Sequence, residues 1–149
     1  MNIFETFRNR IVIVIQILAE EGEISDITTL GNITVEPPRD SSHGDLATNA
    51  AMVLAKPNKK NPRELAEEIS SIIRDFDEVL SVEVAGPGFI NMRLKPVIWQ
   101  KIVLEILKEG IGYGNSNIGK NQGYNIEYVS ANPTGPMHIG HARGAVYGD

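Results

Sequence analysis

The sequence predicts an α+β domain over residues 1–110, in which helices pack on a small antiparallel sheet. Two observations support this class. Several segments repeat apolar residues with a helical period, and two neighbouring runs alternate apolar and polar residues on either side of the turn Gly86-Pro87-Gly88. A third observation sets the domain boundary, because four glycines lie among Asn and Ser residues between 111 and 123. We therefore predict a linker at 111–123 and a second domain at 124–149.

The first half of the α+β domain is predicted to hold two helices and one short strand. In residues 1–21 apolar side chains recur every three or four positions, which favours a helix over the strand that the β-branched run 11–15 would suit. These side chains are Phe4, Phe7, Ile11, Val14 and Leu18. Residues 33–36 resemble a brief strand, which the two following prolines end because proline donates no ladder hydrogen bond. Asp45 is a good N-cap and predicts a helix over residues 46–55.

The second half is predicted to hold a helix and a β-hairpin. Asn61 and Pro62 provide the N-cap and the first residue of a helix that ends near Asp75. The apolar stripe of this helix consists of Leu65, Ile69, Ile72 and Ile73. Residues 80–85 and 89–94 alternate, so we expect one face of the hairpin to be buried. That face would contain Leu80, Val82, Val84, Ile90, Met92 and Leu94.

A last helix is predicted to close the domain. Pro96 suits its first turn, and Gly110 is placed to end it after residue 109. Its predicted apolar face consists of Ile98, Trp99, Ile102, Val103 and Ile106.

Composition and charge exclude several classes of protein. The hydrophobic fraction of 42% and the charged fraction of 22% are those of a soluble globular protein. The absence of cysteine removes disulfide and thiol chemistry, and it fits a cytoplasmic location. The longest apolar stretch, Ile11–Ile15, is too short to cross a bilayer, so we expect no membrane association.

The net charge of −5 opposes a general attraction to RNA. Any contact with nucleic acid therefore requires a local positive patch. The densest cluster of positive residues consists of Lys56, Lys59, Lys60 and Arg63. From the residues alone, a solvated surface is a sufficient explanation of this cluster.

The end of the chain carries the residues with recognisable chemistry. Tyr124–Ser130 alternates like a short strand, residues 132–136 form a Pro-Gly loop, and a helix is predicted from Met137. The start of a helix has free backbone N–H groups and the positive end of the macrodipole, so it attracts phosphate. His138 and His141 are three positions apart, which places both imidazoles on one face of the first turn. Donors at that place would stabilise charge during attack at phosphorus.

Other phosphate and metal motifs do not fit this turn. Gly135 and Gly140 have the glycine spacing of a P-loop, but His141 and Ala142 stand where Lys and Ser or Thr are required. The dinucleotide pattern G-x-G-x-x-G is absent from the turn. A zinc site would need further ligands, yet the chain has no cysteine and its remaining histidine, His43, is far away in sequence. We therefore predict no protein-bound metal.

The tetrapeptide His138-Ile139-Gly140-His141 resembles the HIGH signature of class I aminoacyl-tRNA synthetases. The longer string S-A-N-P-T-G-P-M-H-I-G-H-A-R-G-A-V-Y-G-D, at 130–149, is similar specifically to arginyl-tRNA synthetases. Three strings resemble the extra N-terminal domain of the same family: V-E-P-P-R-D at 35–40, H-G-D-L-A-T-N at 43–49 and V-A-G-P-G-F-I-N at 84–91. The resemblance covers nearly the whole chain in order, and it is weakest in the opening helix and the linker.

The resemblance implies an ATP-dependent arginine–tRNA ligase. In this family the carboxylate of arginine attacks the α-phosphorus of ATP, which is a substrate that carries Mg²⁺, and a ribose hydroxyl of tRNA(Arg) then attacks the adenylate. His138 and His141 fall at catalytic positions, and with Gly140 they fall where the family binds ATP. Glu127, Ser130, Asn132 and His138 fall where the family lines its arginine pocket. A carboxylate at position 127 suits either the guanidinium or the ammonium group of arginine.

Each arginine-pocket residue also has a simpler interpretation. Ser130 and Asn132 commonly bond to nearby backbone and would then only cap the loop. Glu127 would then be an exposed strand residue. His43 and Asp45 belong to a matching string, but we interpret them as a turn residue and a helix cap.

The resemblance further implies that residues 1–110 contact the corner of the tRNA near its D-loop. Lys56, Lys59, Lys60 and Arg63 then become candidate phosphate contacts. Residues 124–149 would be the first strand and helix of a truncated Rossmann-like catalytic domain, without the second signature loop or the anticodon-binding domain. We therefore expect an N-terminal fragment that is inactive alone, from a monomeric full-length enzyme. Its unpaired strand would leave residues 124–149 disordered or paired with a second copy.

Two alternatives remain open on the residues. The first is a free-standing RNA-binding or regulatory module in which the signature has no catalytic role. The second is another nucleotidyltransferase that shares the HIGH turn, such as the cytidylyltransferase group. The position of the turn counts against the second, because those proteins begin near the signature and this one has over a hundred residues before it.

Overall fold

The computed structural model describes residues 2–132 and 134–148 and divides into two compact units, Met1–Gly110 and Ile111–Asp149. Within the described residues the first unit contains four α-helices and a four-stranded antiparallel sheet, so the predicted α+β class is confirmed. The helices are α1 (Ile3–Glu20), α2 (Ala50–Asn58), α3 (Pro62–Ile73) and α4 (Pro96–Glu109), and the strands are β1 (Val35–Glu36), β2 (Leu46–Thr48), β3 (Val79–Ala85) and β4 (Phe89–Leu94). The second unit contains helix α5 (Ile139–Gly148). In this described part of the chain, no helix is both long enough and apolar enough to cross a bilayer.

Helix α1 forms where the apolar periodicity predicts it. The side-chain oxygen of Asn2 caps its start by accepting from the backbone N–H groups of Phe4 (3.1 Å) and Glu5 (3.3 Å). The β-branched run 11–15 is helical because one side of it is buried in the core, and burying a large apolar side chain contributes about 1.5–3 kcal/mol. The lower helix propensity of β-branched residues costs at most about 0.7 kcal/mol each. The buried residues of α1 are Ile3, Phe7, Ile11, Val14, Ile15 and Leu18.

The sheet has one face against the core and one face turned away from it. Its strand order is β1-β2-β4-β3, and every neighbouring pair is antiparallel. The register pairs Glu36 with Ala47, Ala47 with Asn91, and Asn91 with Glu83. Because side chains alternate along a strand, these four residues form a row on the face opposite the core. This outer face carries part of the candidate site.

The helix predicted over residues 46–55 is wrong at its start. Residues 46–48 form β2, which pairs with β4, and α2 begins only at Ala50. Asp45 therefore caps no helix. Its carboxylate instead accepts the backbone N–H of Leu94 at 2.7 Å and so ties β2 to the end of β4. A local cap pattern was overridden by pairing with a strand far away in sequence.

The predicted hairpin forms, but one of its predicted core residues is on the wrong face. Strands β3 and β4 pair from Ala85↔Phe89 towards Val79↔Leu94, with a register shift between Val79 and Ser81. This irregularity inserts one extra residue and reverses the alternation beyond it. As a result Leu80 is 58% exposed and Val79 is buried with 6% exposure.

Helix α3 begins as predicted, with Pro62 as its first residue. The side chain of Asn61 accepts the backbone N–H of Arg63 at 2.8 Å, which is the expected cap. The helix ends at Ile73, slightly before the predicted end near Asp75.

Helix α4 has the predicted limits, but its predicted apolar face is only partly correct. Ile98 and Ile102 are buried in the core. Trp99, Val103 and Ile106 are 36%, 54% and 39% exposed, respectively. The periodicity therefore located the helix correctly. The apolar face of the helix is wider than the part that the described residues of the first unit bury.

The strand predicted at 124–130 is wrong: the described residues give it no partner strand, and a strand requires one for its ladder of hydrogen bonds. The segment instead packs on α5 within the second unit. A Cβ atom on Gly148 would lie 2.6 Å from Cδ1 of Tyr128, and one on Gly144 would lie 3.1 Å from the carbonyl oxygen of Tyr128. These two glycines share a helix face, and their lack of side chains admits the tyrosine.

The remaining predictions for the second unit concern its loops and helix. Helix α5 begins at Ile139, two residues after the predicted start, and continues through Gly144. Apart from a 3₁₀ turn at Gly110–Gly112, the described residues between α4 and α5 contain no helix or strand. Met1, Pro133 and Asp149, which the predictions included, lie outside the described residues.

Candidate functional site

The two histidines of the tetrapeptide stack on each other at the start of α5. Their ring centroids are 3.8 Å apart and their planes are inclined by 24°. His138 occupies the cap position, because its carbonyl oxygen accepts the N–H groups of His141 (2.9 Å) and Ala142 (3.1 Å). Its ring nitrogen Nδ1 also accepts the N–H of Gly140 at 3.1 Å. Both rings therefore lie on one side of the first helical turn.

An open concavity of about 730 Å³ lies beside the stacked rings. The loop before α5 and the two histidines line it, and its wall combines polar groups with small apolar ones. The lining residues are Val129, Ala131, Asn132, Thr134, Gly135, Pro136, Met137, His138 and His141. Backbone N–H groups at a helix start and imidazole N–H groups both suit an anionic oxygen, so this wall could hold a phosphate.

The residues predicted for an arginine pocket are only partly brought together. Asn132 and His138 line the concavity. Glu127 and Ser130 are exposed and do not line it. The described residues thus place two of the four predicted residues around one space.

Only part of the positive cluster has free charge. The ammonium group of Lys60 lies 2.8 Å from Glu68 and 3.4 Å from Glu23, and the hydrogen bond to Glu68 raises the pKa of Lys60. The Arg63 guanidinium donates to the carbonyl oxygen of Gly86 at 3.3 Å. Lys56 and Lys59, in contrast, are exposed and have no side-chain partner among the described residues.

A second concavity, of about 570 Å³, lies on the outer face of the sheet in the first unit. Phe89, which is 42% exposed, and Asn91, which is only 6% exposed, both line it. No side-chain hydrogen bond is present for Asn91 within the described residues, so its amide is available to a ligand. The other lining residues are Thr34, Glu36, Pro37, Pro38, Arg39, Asp40, His43, Ala47, Asn49, Ala85 and Gly86.

Three separate segments build this concavity. The segment 34–40 supplies one wall, residues 43–49, which include β2, supply the floor, and residues 85–91 of the hairpin supply the other side. Asn49 holds the first two together, since its side chain accepts the N–H of Thr34 at 2.9 Å and donates to the carbonyl oxygen of Asn32 at 3.2 Å. An exposed aromatic ring beside an unpaired amide suits a planar, hydrogen-bonding group such as a nucleobase.

Comparison with known proteins identifies the family. The sequence profile described as "Arginyl tRNA synthetase N terminal domain" matches residues 11–94, which is more than half of the chain. The chain belongs to the arginyl-tRNA synthetase family. The recognition made from the tetrapeptide and the three N-terminal strings is thereby confirmed.

Curated relatives extend the match to the second unit. The chain is 55% identical over 149 residues to an arginine–tRNA ligase of Parvibaculum lavamentivorans and 52% identical over 149 residues to one of Cereibacter sphaeroides. It is 58% identical over 132 residues to an arginine–tRNA ligase of Nitrobacter winogradskyi, a match that covers 89% of the chain. These alignments cover 26%, 26% and 22% of the relatives, so the chain spans about a quarter of their length.

The sheet concavity was not predicted from the sequence, although three strings that resemble the family line it. The strings at 35–40, 43–49 and 84–91 resemble the family one by one, and in the structure they converge on the sheet concavity. His43, interpreted from the sequence as a turn residue, ends a 3₁₀ turn and also lines this concavity. The sequence signal for Phe89 and Asn91 was only that both belong to the string at 84–91, and their convergence with the other two strings appears in the structure.

Proposed function

We propose that this chain forms the amino-terminal part of an arginine–tRNA ligase, which attaches arginine to tRNA(Arg) at the expense of ATP. The observation that carries the proposal is the stacked histidine pair at the start of α5, within a chain that is about half identical to arginine–tRNA ligases along its whole length. Chemistry that depends on positioning and charge stabilisation suits donors fixed in this way.

The proposed ATP site consists of His138, Gly140 and His141. The free N–H groups of the helix start and the imidazoles would hold phosphate oxygens and stabilise the charge that develops when a carboxylate attacks the α-phosphorus. Mg²⁺ would enter with ATP as part of the substrate, and no resident metal is proposed. Asn132 lines the same concavity and is the best supported of the proposed arginine contacts. Glu127 and Ser130 would reach arginine only from outside that concavity.

Residues 124–149 would begin the Rossmann-like catalytic domain of such an enzyme. The order of extended segment, tight loop and helix supports this proposal, and the extended segment would become a strand only when neighbouring strands pair with it. The chain alone is therefore proposed to be inactive. We also propose that the complete enzyme works as a cytoplasmic monomer, and that the isolated chain can associate with a second copy through its unpaired segment.

A chimeric enzyme tests the catalytic proposal. This chain would replace the matching 149 residues of the Parvibaculum lavamentivorans ligase, to which it is 55% identical. We expect the chimera to charge tRNA(Arg), and we expect His138→Ala or His141→Ala to lower kcat by about 10²–10³ by loss of a fixed donor. Asn9→Ala is the control, because it truncates an exposed side chain of the first unit that lines neither concavity. Full activity of both the His138 and the His141 variants would refute the catalytic role.

The first unit is proposed to bind tRNA through two surfaces. Lys56, Lys59, Lys60 and Arg63 would contact phosphates, with the exposed pair Lys56 and Lys59 contributing most. The sheet concavity would receive one unstacked base, which would lie on Phe89 and bond to the amide of Asn91.

Measurements of tRNA(Arg) affinity for variants of this chain distinguish the contributions of the two surfaces. Phe89→Ala is expected to weaken affinity by about 1–3 kcal/mol without a change in the salt slope, because stacking involves no counterion release. The double variant Lys56→Glu and Lys59→Glu is expected to weaken affinity and to flatten the salt slope. Leu104→Ala, which truncates another exposed apolar side chain, serves as the control. Equal binding by the Phe89 variant and this control would remove the base pocket from the proposal.

The two alternative functions predict different results. A free-standing RNA-binding module would bind tRNA as tightly as a complete ligase does, and the chimera would be insensitive to the histidines. Another nucleotidyltransferase would bind ATP but give no tRNA(Arg) charging in the chimera. Neither alternative gains support from the relatives, because those matched over all 149 residues of this chain are named arginine–tRNA ligases.

A further inference from the structure

We propose that the HIGH turn fixes both histidines as the tautomer protonated on Nε2, so that each ring offers one N–H donor through that atom. Nε2, and not Nδ1, is thus the nitrogen that each ring presents to a ligand. His138 is then a positioning residue as well as a ligand contact. The ligand is an anionic phosphate oxygen, and this part of the inference rests on the ATP site proposed above. The tautomers themselves follow from contacts inside the turn.

The first contact decides the tautomer of His138. Its Nδ1 accepts the backbone N–H of Gly140 at 3.1 Å, so the lone pair is on Nδ1 and the proton of the neutral ring is on Nε2. The N–H of Gly140 is one of the groups that a helix start leaves without an intrahelical partner. His138 therefore caps α5 with the nitrogen that faces the backbone, and Nε2 is left for a ligand.

Glycine at position 140 makes this contact possible. A Cβ atom there would lie 3.0 Å from Cε1 and 3.1 Å from Nδ1 of the His138 ring. The ring would have to move by a few tenths of an ångström, which would lengthen the hydrogen bond to the Gly140 N–H. The glycine of the tetrapeptide therefore leaves room for the first imidazole to sit against the backbone of the turn.

Burial decides the tautomer of His141. Its Nδ1 is buried and has no hydrogen-bond partner among the described residues. A buried N–H without a partner is rarer in proteins than a bare acceptor, since a donor left unpaired carries a desolvation cost. The proton is thus assigned to Nε2 in this ring as well. Because the ring centroids are 3.8 Å apart, the turn offers two neighbouring donors of the same kind.

Nuclear magnetic resonance of the whole chain tests the assignment directly. Long-range ¹H–¹⁵N spectra, recorded at mildly alkaline pH, distinguish a protonated from an unprotonated ring nitrogen. We expect His138 and His141 to carry the proton on Nε2 alone. His43 is the internal reference, because its exposed ring has no hydrogen bond within the described residues and should populate both tautomers. A proton on Nδ1 of His138, or a pattern equal to that of His43, would overturn the proposal.

Two variants separate positioning from simple structure. Gly140→Ala should shift the tautomer pattern of His138 towards that of His43, even though alanine favours a helix by about 1 kcal/mol over glycine. His138→Asn should keep α5, since asparagine is a good N-cap, but it lacks the Nε2 donor. Cα chemical shifts of residues 139–148 report whether the helix survives in each variant. An unchanged His138 pattern in the alanine variant would contradict the role given to glycine.

Addition of Mg²⁺ and ATP distinguishes this inference from the proposed function. If both parts hold, the Nε2–H signals of His138 and His141 shift on titration, and the shift at His141 shrinks in His138→Asn. If the tautomers are as assigned and ATP shifts neither signal, the proposed ATP site fails and the tautomer assignment stands. If ATP shifts both signals but the tautomers are mixed, the positioning role fails and the ATP site stands.

Discussion

Replacement of Asn58 tests whether one side chain holds the loop before β1 on the end of α2. The Oδ1 atom of Asn58 accepts the backbone N–H groups of Ser25 and Asp26, each at 2.8 Å. Its Nδ2 atom donates to the carbonyl oxygens of Asp26 (2.8 Å) and Leu54 (2.9 Å). A protein hydrogen bond contributes about 0.5–1.5 kcal/mol net. Because some of these groups are exposed and water can replace the side chain there, we expect Asn58→Ala to lower the free energy of unfolding by about 2–4 kcal/mol.

Urea denaturation followed by fluorescence of Trp99, the single tryptophan, measures this loss in the first unit. With a urea slope of about 1–1.5 kcal/mol per molar, the midpoint should fall by about 1.3–4 M. Asn58→Asp keeps the accepting oxygen, removes both donors and should fall between the wild type and the alanine variant. Asn9→Ala, on the exposed side of α1, is the matched control and should change stability by less than about 0.5 kcal/mol. A loss in Asn58→Ala as small as in this control would refute the reasoning.

Two further predictions concern β3 and its start. Val79→Asp should destabilise the first unit by several kcal/mol or prevent folding, because it buries a carboxylate. Leu80→Asp should be nearly neutral, because Leu80 is exposed. If urea denaturation gave the lower midpoint to the Leu80 variant, the register shift would be absent. The Arg10 guanidinium, 2.7 Å from Glu78, holds the pKa of Glu78 below its ordinary value, so this pair stabilises the fold above a pH of about 4.5 and the contribution is lost as the pH falls through the lowered pKa. Glu78→Gln should remove that acid-sensitive part, at most about 1 kcal/mol because the pair is partly exposed, and an unchanged difference in midpoint between pH 7 and pH 3 would contradict it.

The helices of the first unit could be predicted because their signals are local. Asn61 and Pro62 cap and begin α3 by contacts within a few residues, and the apolar period of α1 is contained in its own sequence. Strand β2 could not be predicted in the same way. Asp45 and the residues after it carry an ordinary capping pattern, and only the hydrogen bond to Leu94 and the pairing with β4 select the extended form.

The same distinction applies to the two candidate sites. His138 and His141 could be placed together from spacing alone, because three positions in a helical turn fix their relation. Phe89 and Asn91 could not be joined to the segment 34–40, since that contact exists only when β1, β2 and β4 pair in one register. The predicted strand at 124–130 failed for the complementary reason: its pattern is correct for a strand, but a strand is stable only with a neighbour.

The charges of the first unit limit how its proposed tRNA surface can work. The chain carries a net charge of −5, and in the predicted cluster Lys60 and Arg63 already have partners within the protein. If only Lys56 and Lys59 neutralise phosphates, the logarithm of the binding constant should change with the logarithm of salt concentration with a slope of about −1.4 to −1.8. Such a shallow slope leaves most of the binding free energy to uncharged contacts. The exposed ring of Phe89 and the unpaired amide of Asn91 supply contacts of that kind, which is why stacking on a base, rather than attraction to the backbone, should determine affinity at the salt concentrations of a cell.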